Sequence, residues 1–116
     1  MYHLSTAYSI KNHPIPFNVQ KINNGIEYNN GVFLILEPGY YRIATHLKSR
    51  DNRLDYKILK NSREGLIFTS MPVWDASSTY YVANLATFDM ITIELMVDIT
   101  VGLASNANLV QIEKIY

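Results

Sequence analysis

The sequence lacks cysteine altogether among its 116 residues, which excludes disulfides, zinc–thiolate centres and thiol nucleophiles. Charged residues are scarce, at 17% against about 25% in an ordinary soluble domain. The ten basic and ten acidic residues balance, with no basic run, which argues against nucleic acid as a partner. The longest uninterrupted apolar run, residues 32–36, is too short to span a bilayer. The first twenty residues also lack an apolar signal-peptide core.

Motifs for catalysis are missing as well. The sequence has no Gly-x-Ser-x-Gly nucleophile turn and no glycine-rich phosphate loop. His3, His13 and His46 are far apart and form no His-x-His metal cluster of the kind a cupin-like enzyme needs. We therefore expect no catalytic residue, no metal site and no cofactor, and a cupin-like enzyme is the least favoured function.

One segment offers a weak calcium hypothesis. Asp51, Asn52 and Asp55 could supply the oxygen ligands that a hard cation prefers. A polar turn closed by Asx side chains explains the same residues and is favoured.

Turn signals recur about every ten residues, among them Asn29-Asn30-Gly31 and the stretch from Asn61 to Gly65, a spacing typical of β-sandwiches. Apolar and polar residues alternate between the turns. This alternation predicts that Thr92 and Glu94 lie on a wetter face and that the core receives Tyr41, Ile43, Thr45, Leu47, Ile91, Ile93 and Leu95. The pattern predicts an all-β, two-sheet antiparallel sandwich, with residues 1–116 forming a single domain.

Two features indicate a second buried surface beyond the core. Residues 32–36 do not alternate, and a strand that is apolar on both faces must be covered on both. A loop or another subunit would supply the outer cover of Val32, Leu34 and Leu36. Nine tyrosines are present, and tyrosine is enriched at interfaces. Tyr40 and Tyr80 are the candidates for a subunit interface.

Several short motifs resemble C1q-type domains. In chain order they are Ala7-Tyr8-Ser9, Asn23-Asn24-Gly25 with Tyr28, Gly31-Val32-Phe33, Pro38-Gly39-Tyr40-Tyr41-Arg42-Ile43, Asp89-Met90-Ile91 and the final Ile115-Tyr116. The pattern departs at Ile43, where the family has an aromatic residue, and at Phe88-Asp89, where it has Gly-Asp. Three segments look closer to bacterial relatives: Pro14-Ile15-Pro16-Phe17-Asn18, the stretch from Glu37 to Ile43, and Ile112-Glu113-Lys114-Ile115. The nearest such relative is the C-terminal domain of the collagen-like exosporium glycoprotein of spore-forming bacilli.

The resemblance implies a C1q/TNF-like jelly roll, a homotrimer, and a location outside the cell or on a cell or spore surface. The Gly-x-y repeat of a collagen stalk is absent, so the resemblance does not extend to a stalk. In such a trimer, histidines from several subunits could meet at the threefold axis and bind metal or sense pH. A plain surface position is the favoured interpretation of His46.

Two functions fit the predicted C1q/TNF-like jelly roll. The first is a non-enzymatic, homotrimeric structural or adhesive module, with Val32, Leu34, Leu36, Tyr40 and Tyr80 at the trimer interface. The second is a soluble C1q-like lectin that binds carbohydrate, with Trp74 and Asp75 as ligand contacts, because a tryptophan in a loop can stack on a sugar or anchor a protein ligand. Trp74 could equally close one end of the sandwich.

Overall fold

The computed structural model describes residues 2–3, 10–19, 25–47, 54–71, 77–96, 101 and 108–115. These residues form strands and no helix. The strands are β1 (Tyr2–His3), β2 (Asn18–Val19), β3 (Ile26–Asn29), β4 (Val32–Ile35), β5 (Gly39–Leu47), β6 (Leu54–Lys60), β7 (Glu64–Met71), β8 (Ser77–Leu85), β9 (Met90–Leu95) and β10 (Leu109–Lys114). Within this part of the chain, no helix could cross a membrane.

The strands form two antiparallel sheets of five strands each. The first sheet has the order β2-β1-β10-β5-β8, and the second has the order β3-β4-β9-β6-β7. Since β5, β8 and β10 lie in the first sheet while β4, β6 and β9 lie in the second, the chain repeatedly crosses between layers. This arrangement confirms the predicted all-β, two-sheet sandwich.

The core lies between the two inner faces, and on β5 it follows the predicted alternation. Tyr41, Ile43, Thr45 and Leu47 are all buried, while the residues between them are partly exposed. Because side chains on a strand alternate between faces, the outward side chains of β5 belong to the outer surface of the first sheet.

On β9 the prediction is only half right. Ile91, Ile93 and Leu95 are buried as expected, but Thr92 and Glu94, predicted for a wetter face, are buried too. The N-terminal segment lies along this strand: residues 11 and 14 form bridges to Leu95 and Glu94. The Thr92 hydroxyl donates to the Glu94 carboxylate at 3.0 Å, so this polar pair is satisfied although it is buried.

Three hydroxyl groups connect the two sheets inside the sandwich. The Tyr56 hydroxyl, on β6 of the second sheet, lies 3.0 Å from the Thr45 hydroxyl and 3.1 Å from that of Thr79. Thr45 and Thr79 are directly opposite each other on β5 and β8, and their hydroxyls also contact each other. We call these three residues the hydroxyl cluster.

Two hairpins turn through pairs of residues with positive φ. Asn30 and Gly31 (φ 45° and 93°) join β3 to β4, and Asn61 and Ser62 (φ 56° and 59°) join β6 to β7. Consecutive positive φ values are what a type I′ hairpin turn requires, and in the β6–β7 hairpin Arg63 adds a third loop residue before Glu64. At Gly31 a Cβ atom would lie 2.7 Å from the backbone oxygen of Ile15, so this turn requires glycine for space as well as for conformation.

Candidate functional surfaces

The structure divides the predicted trimer interface into two groups. Tyr40 on β5 and Tyr80 on β8 lie on the outer face of the first sheet. Val32 and Leu34 lie on β4 of the second sheet, and Leu36 follows that strand. Because the two outer faces of a sandwich point away from each other, the five residues do not form one surface.

The first-sheet face is aromatic and carries few unbalanced charges. Tyr40 and Tyr80 are 47% and 63% exposed, and Val82 stands between them on β8, also exposed. The Arg42 guanidinium forms an ion pair with Glu113 and lies 6.0 Å from the centroid of the Tyr80 ring, within cation–π range. The charge of Arg42 is thus balanced within the face, which suits a surface that another protein covers.

A pocket of about 390 Å³ opens on this face. It is lined by Ala44, Thr45, His46, Thr79, Tyr80, Leu109 and Gln111. His46 is half-buried here, while His13 lines a separate depression with Ile10, Pro14 and Pro16. Among these residues, His46 contributes an imidazole, Gln111 an amide and Tyr80 an exposed ring.

The second-sheet face is also apolar, and here the non-alternating strand is only partly covered. Phe33 and Ile35 point into the core, Val32 and Leu34 are half-buried, and Leu36 is exposed. The outer side of this strand is therefore partly covered at Val32 and Leu34 and open at Leu36.

The turn between β8 and β9 carries a residue that the sequence singled out only as a departure from the C1q pattern. Phe88 has φ 69°, a conformation that is rare for a bulky residue, and its ring is 70% exposed. The Phe88 N–H donates to the Ile35 carbonyl. The sequence carried one signal for this strained residue, because Phe88 stands where the C1q pattern has the glycine of Gly-Asp.

Asp89 fixes this turn. Its carboxylate accepts the Ala86 N–H at 2.8 Å and the Asn61 side-chain N–H at 3.1 Å. The side-chain oxygen of Asn61, Oδ1, in turn accepts the Met90 N–H at 2.8 Å. Partial burial raises the pKa of Asp89, but these hydrogen bonds and the charge of Lys60 outweigh it, so that the pKa is lower than its ordinary value. The ionised carboxylate therefore holds the turn.

Tyr41 fixes the start of β5 through its hydroxyl group. The Tyr41 hydroxyl donates to the Glu37 carbonyl at 2.7 Å. Burial and then the Glu37 carboxylate raise the pKa of Tyr41 above its ordinary value, so the hydroxyl stays a donor. This contact belongs to the fold and not to a site.

The remaining predicted sites have little or no structural description. Trp74 and Asp75 lie outside the described residues, as do Asp51 and Asn52 of the calcium hypothesis. Asp55 is fully buried on β6. Among the residues that the structure describes, no three His, Asp or Glu side chains are grouped so that they could hold a metal ion.

Comparisons with known proteins bear on the fold. No protein-family model and no curated protein sequence matches the chain. Among solved structures, murine APRIL is similar with a TM-score of 0.79 and 16% identity, over 98% of this chain and 97% of that one. The globular domain of zebrafish complement 1qA protein is similar with a TM-score of 0.67 and 18% identity, over 99% and 96% of the two chains. Rabbit GITRL is similar with a TM-score of 0.65 and 14% identity, over 78% and 77%. The chain thus has the two-sheet jelly-roll fold of C1q and TNF proteins.

Proposed function

We propose that this chain is a non-enzymatic structural or adhesive module that assembles as a homotrimer through the outer face of its first sheet. The observation that carries the proposal is the exposure of Tyr40, Tyr80 and Val82 on one face. Contiguous exposed apolar groups on a soluble domain mark interaction sites, and the similarity in fold to C1q and TNF proteins supports the proposal.

Geometry favours the first-sheet residues over the β4 residues for this role. In a closed threefold ring the two contact surfaces of a subunit are inclined toward each other. Head-to-tail contact between opposite faces of a sandwich extends into an open filament instead. The ring can therefore use the face of Tyr40 and Tyr80, but it cannot pair that face with the outer face that carries Val32, Leu34 and Leu36.

Sedimentation velocity on the full chain tests this proposal. The wild type is expected at about three times the 13.3 kDa chain mass. Tyr80→Ser combined with Val82→Ser should remove about 2–3 kcal/mol of apolar burial per interface, which raises the dissociation constant roughly 30- to 150-fold. The matched control is Ile10→Ser, which truncates a side chain that is 55% exposed on the N-terminal segment. A wild type that sediments as a monomer at micromolar concentration would sink the proposal.

The carbohydrate-binding alternative rests on Trp74 and Asp75, outside the described residues. No contact among the described residues favours it, and it stays a prediction, as does a place on a spore surface. A glycan array probed with and without calcium decides the first of these. Binding that is lost in Trp74→Ala would support the lectin, and an array without signal would count against it.

A further inference from the structure

The outer face of the second sheet carries a straight row of side chains that crosses the strands. Glu27 on β3 is directly opposite Leu34 on β4, and Leu34 is directly opposite Met90 on β9. Asn61, immediately after β6, continues the line, because its N–H donates to the Met90 carbonyl at 2.8 Å. We call Glu27, Leu34, Met90 and Asn61 the cross-strand row.

Two depressions meet at the middle of this row. One has a volume of about 380 Å³ and is lined by Glu27, Asn29, Val32, Leu34 and Met90. The other has a volume of about 450 Å³ and is lined by Lys60, Asn61, Arg63 and Met90. Because Met90 lines both and is 41% exposed, the two form one trough with an apolar centre.

The two ends of the trough have opposite charge. Glu27 is exposed at the β3 end, and Lys60 and Arg63 line the end beside β6. Asp89 interacts with Lys60 and offsets part of that charge, and of the two cations Arg63 is the more exposed. A ligand that fits both ends carries a positive group over Glu27 and a negative group at Lys60 and Arg63.

The length of the trough sets the spacing of those groups. From β3 through β4 and β9 to β6 there are three inter-strand steps, about 14 Å at the usual strand separation. An extended peptide covers that distance in about four residues and turns every second side chain to the same side. We propose that the trough binds an extended protein segment with a basic residue, an apolar residue and an acidic residue at positions i, i+2 and i+4. The apolar residue lies on Leu34 and Met90.

The strained turn supports this assignment. Phe88 precedes Met90 by two residues and holds a positive φ, although its largely exposed ring gains little from packing within the chain. Residues in strained backbone conformations cluster at active sites, ligand clamps and switch regions. Together with the exposed Leu36, Phe88 provides an apolar border for a segment lying in the trough.

An NMR titration of the ¹⁵N-labelled full chain tests the proposal. The probe is the blocked synthetic peptide Thr-Lys-Thr-Leu-Thr-Glu-Thr, and its control is a scrambled peptide in which Lys, Leu and Glu are adjacent. We expect amide shifts at Leu34, Met90 and Asn61 with the first peptide only. Glu27→Lys should weaken binding about fivefold, the scale of one exposed ion pair. A peptide with Glu in place of Lys should bind Glu27→Lys more tightly than it binds the wild type.

The same charge change elsewhere serves as the matched variant. Glu37→Lys alters an exposed carboxylate outside the row, and it should leave the affinity for the first peptide unchanged. The inference is overturned if millimolar peptide causes no shift, if the scrambled peptide gives the same shifts, or if shifts fall on β8 and β10. It is also overturned if Leu34 and Met90 shift with protein concentration alone, since a second copy would then occupy the trough, or if only an acidic oligosaccharide binds there.

The trough and the proposed trimer interface lie on different outer faces of the sandwich. Measuring the molar mass of the same samples separates the two. A monomer that binds the peptide at the cross-strand row refutes only the trimer, and a trimer that does not bind it refutes only the trough.

Discussion

The hydroxyl cluster permits a quantitative test of what holds the two sheets together. Tyr56→Phe removes only the oxygen from a fully buried side chain and therefore breaks the contacts to Thr45 and Thr79 without changing the packing of the ring. Each such hydrogen bond contributes about 0.5–1.5 kcal/mol net. Two contacts give about 1–3 kcal/mol. Because the two threonine hydroxyls still contact each other and neither is left alone, we expect the lower part of that range, about 1–2 kcal/mol.

Urea unfolding measures this loss. Wild type and variant are compared at equal chain concentration, since assembly adds a concentration-dependent stability. The control is Thr87→Val, which removes a hydroxyl from an exposed side chain outside the first-sheet face and should change the free energy of unfolding by less than about 0.5 kcal/mol.

A double-mutant cycle assigns the effect to the cluster. Thr45→Val alone should also destabilise, and in the Tyr56→Phe background its cost should differ by about 1 kcal/mol, because the two groups share a contact. If Tyr56→Phe is as stable as the wild type, or if the two changes are additive, the hydroxyls do not interact and the reasoning is refuted.

Further changes test the turns, each by the urea midpoint or the melting temperature. Phe88→Gly should be about 1 kcal/mol more stable than Phe88→Ala, since both lose the ring but only glycine relieves the positive φ; equal stabilities would argue against strain. Asp89 has a lowered pKa in the fold, so its full contribution to the free energy of unfolding is present above its ordinary pKa of 3.8. That contribution is lost as the pH falls through the lower folded value. Asp89→Asn should remove this part of the acid dependence of stability, and an unchanged pH profile would contradict the role of Asp89. Gly31→Ala should cost about 1–3 kcal/mol through positive φ and the contact with the Ile15 oxygen, and a neutral result would show that the turn can move.

The local sequence pattern alone predicted the core face of β5 and the positions of two turns. The alternation on β5 correctly predicted that Tyr41, Ile43, Thr45 and Leu47 face the core, because a strand has a fixed period of two and one of its faces must be buried. The Asn30-Gly31 pair marked the β3–β4 turn, because few residues other than asparagine and glycine adopt positive φ at low cost. The β6–β7 turn begins at Asn61, inside the predicted stretch from Asn61 to Gly65. These signals depend only on neighbours in sequence.

The resemblance to C1q domains added the crossing pattern of a jelly roll, which alternation alone did not provide. It also marked position 88 as a departure, without indicating that the phenylalanine there would be strained and exposed.

The tertiary structure decided which faces are open and which residues share them. Glu94 was assigned to a wetter face by its period, yet it is buried on β9, beside which the N-terminal segment lies. The sequence analysis assigned all five predicted residues to one interface, but the strand order places Tyr40 and Tyr80 on one outer face and the β4 residues on the other. The cross-strand row joins residues 27, 34, 61 and 90 through pairings between distant segments. Periodicity tells which side of its own strand a residue occupies, but only long-range register tells which strand lies beside it and what covers it.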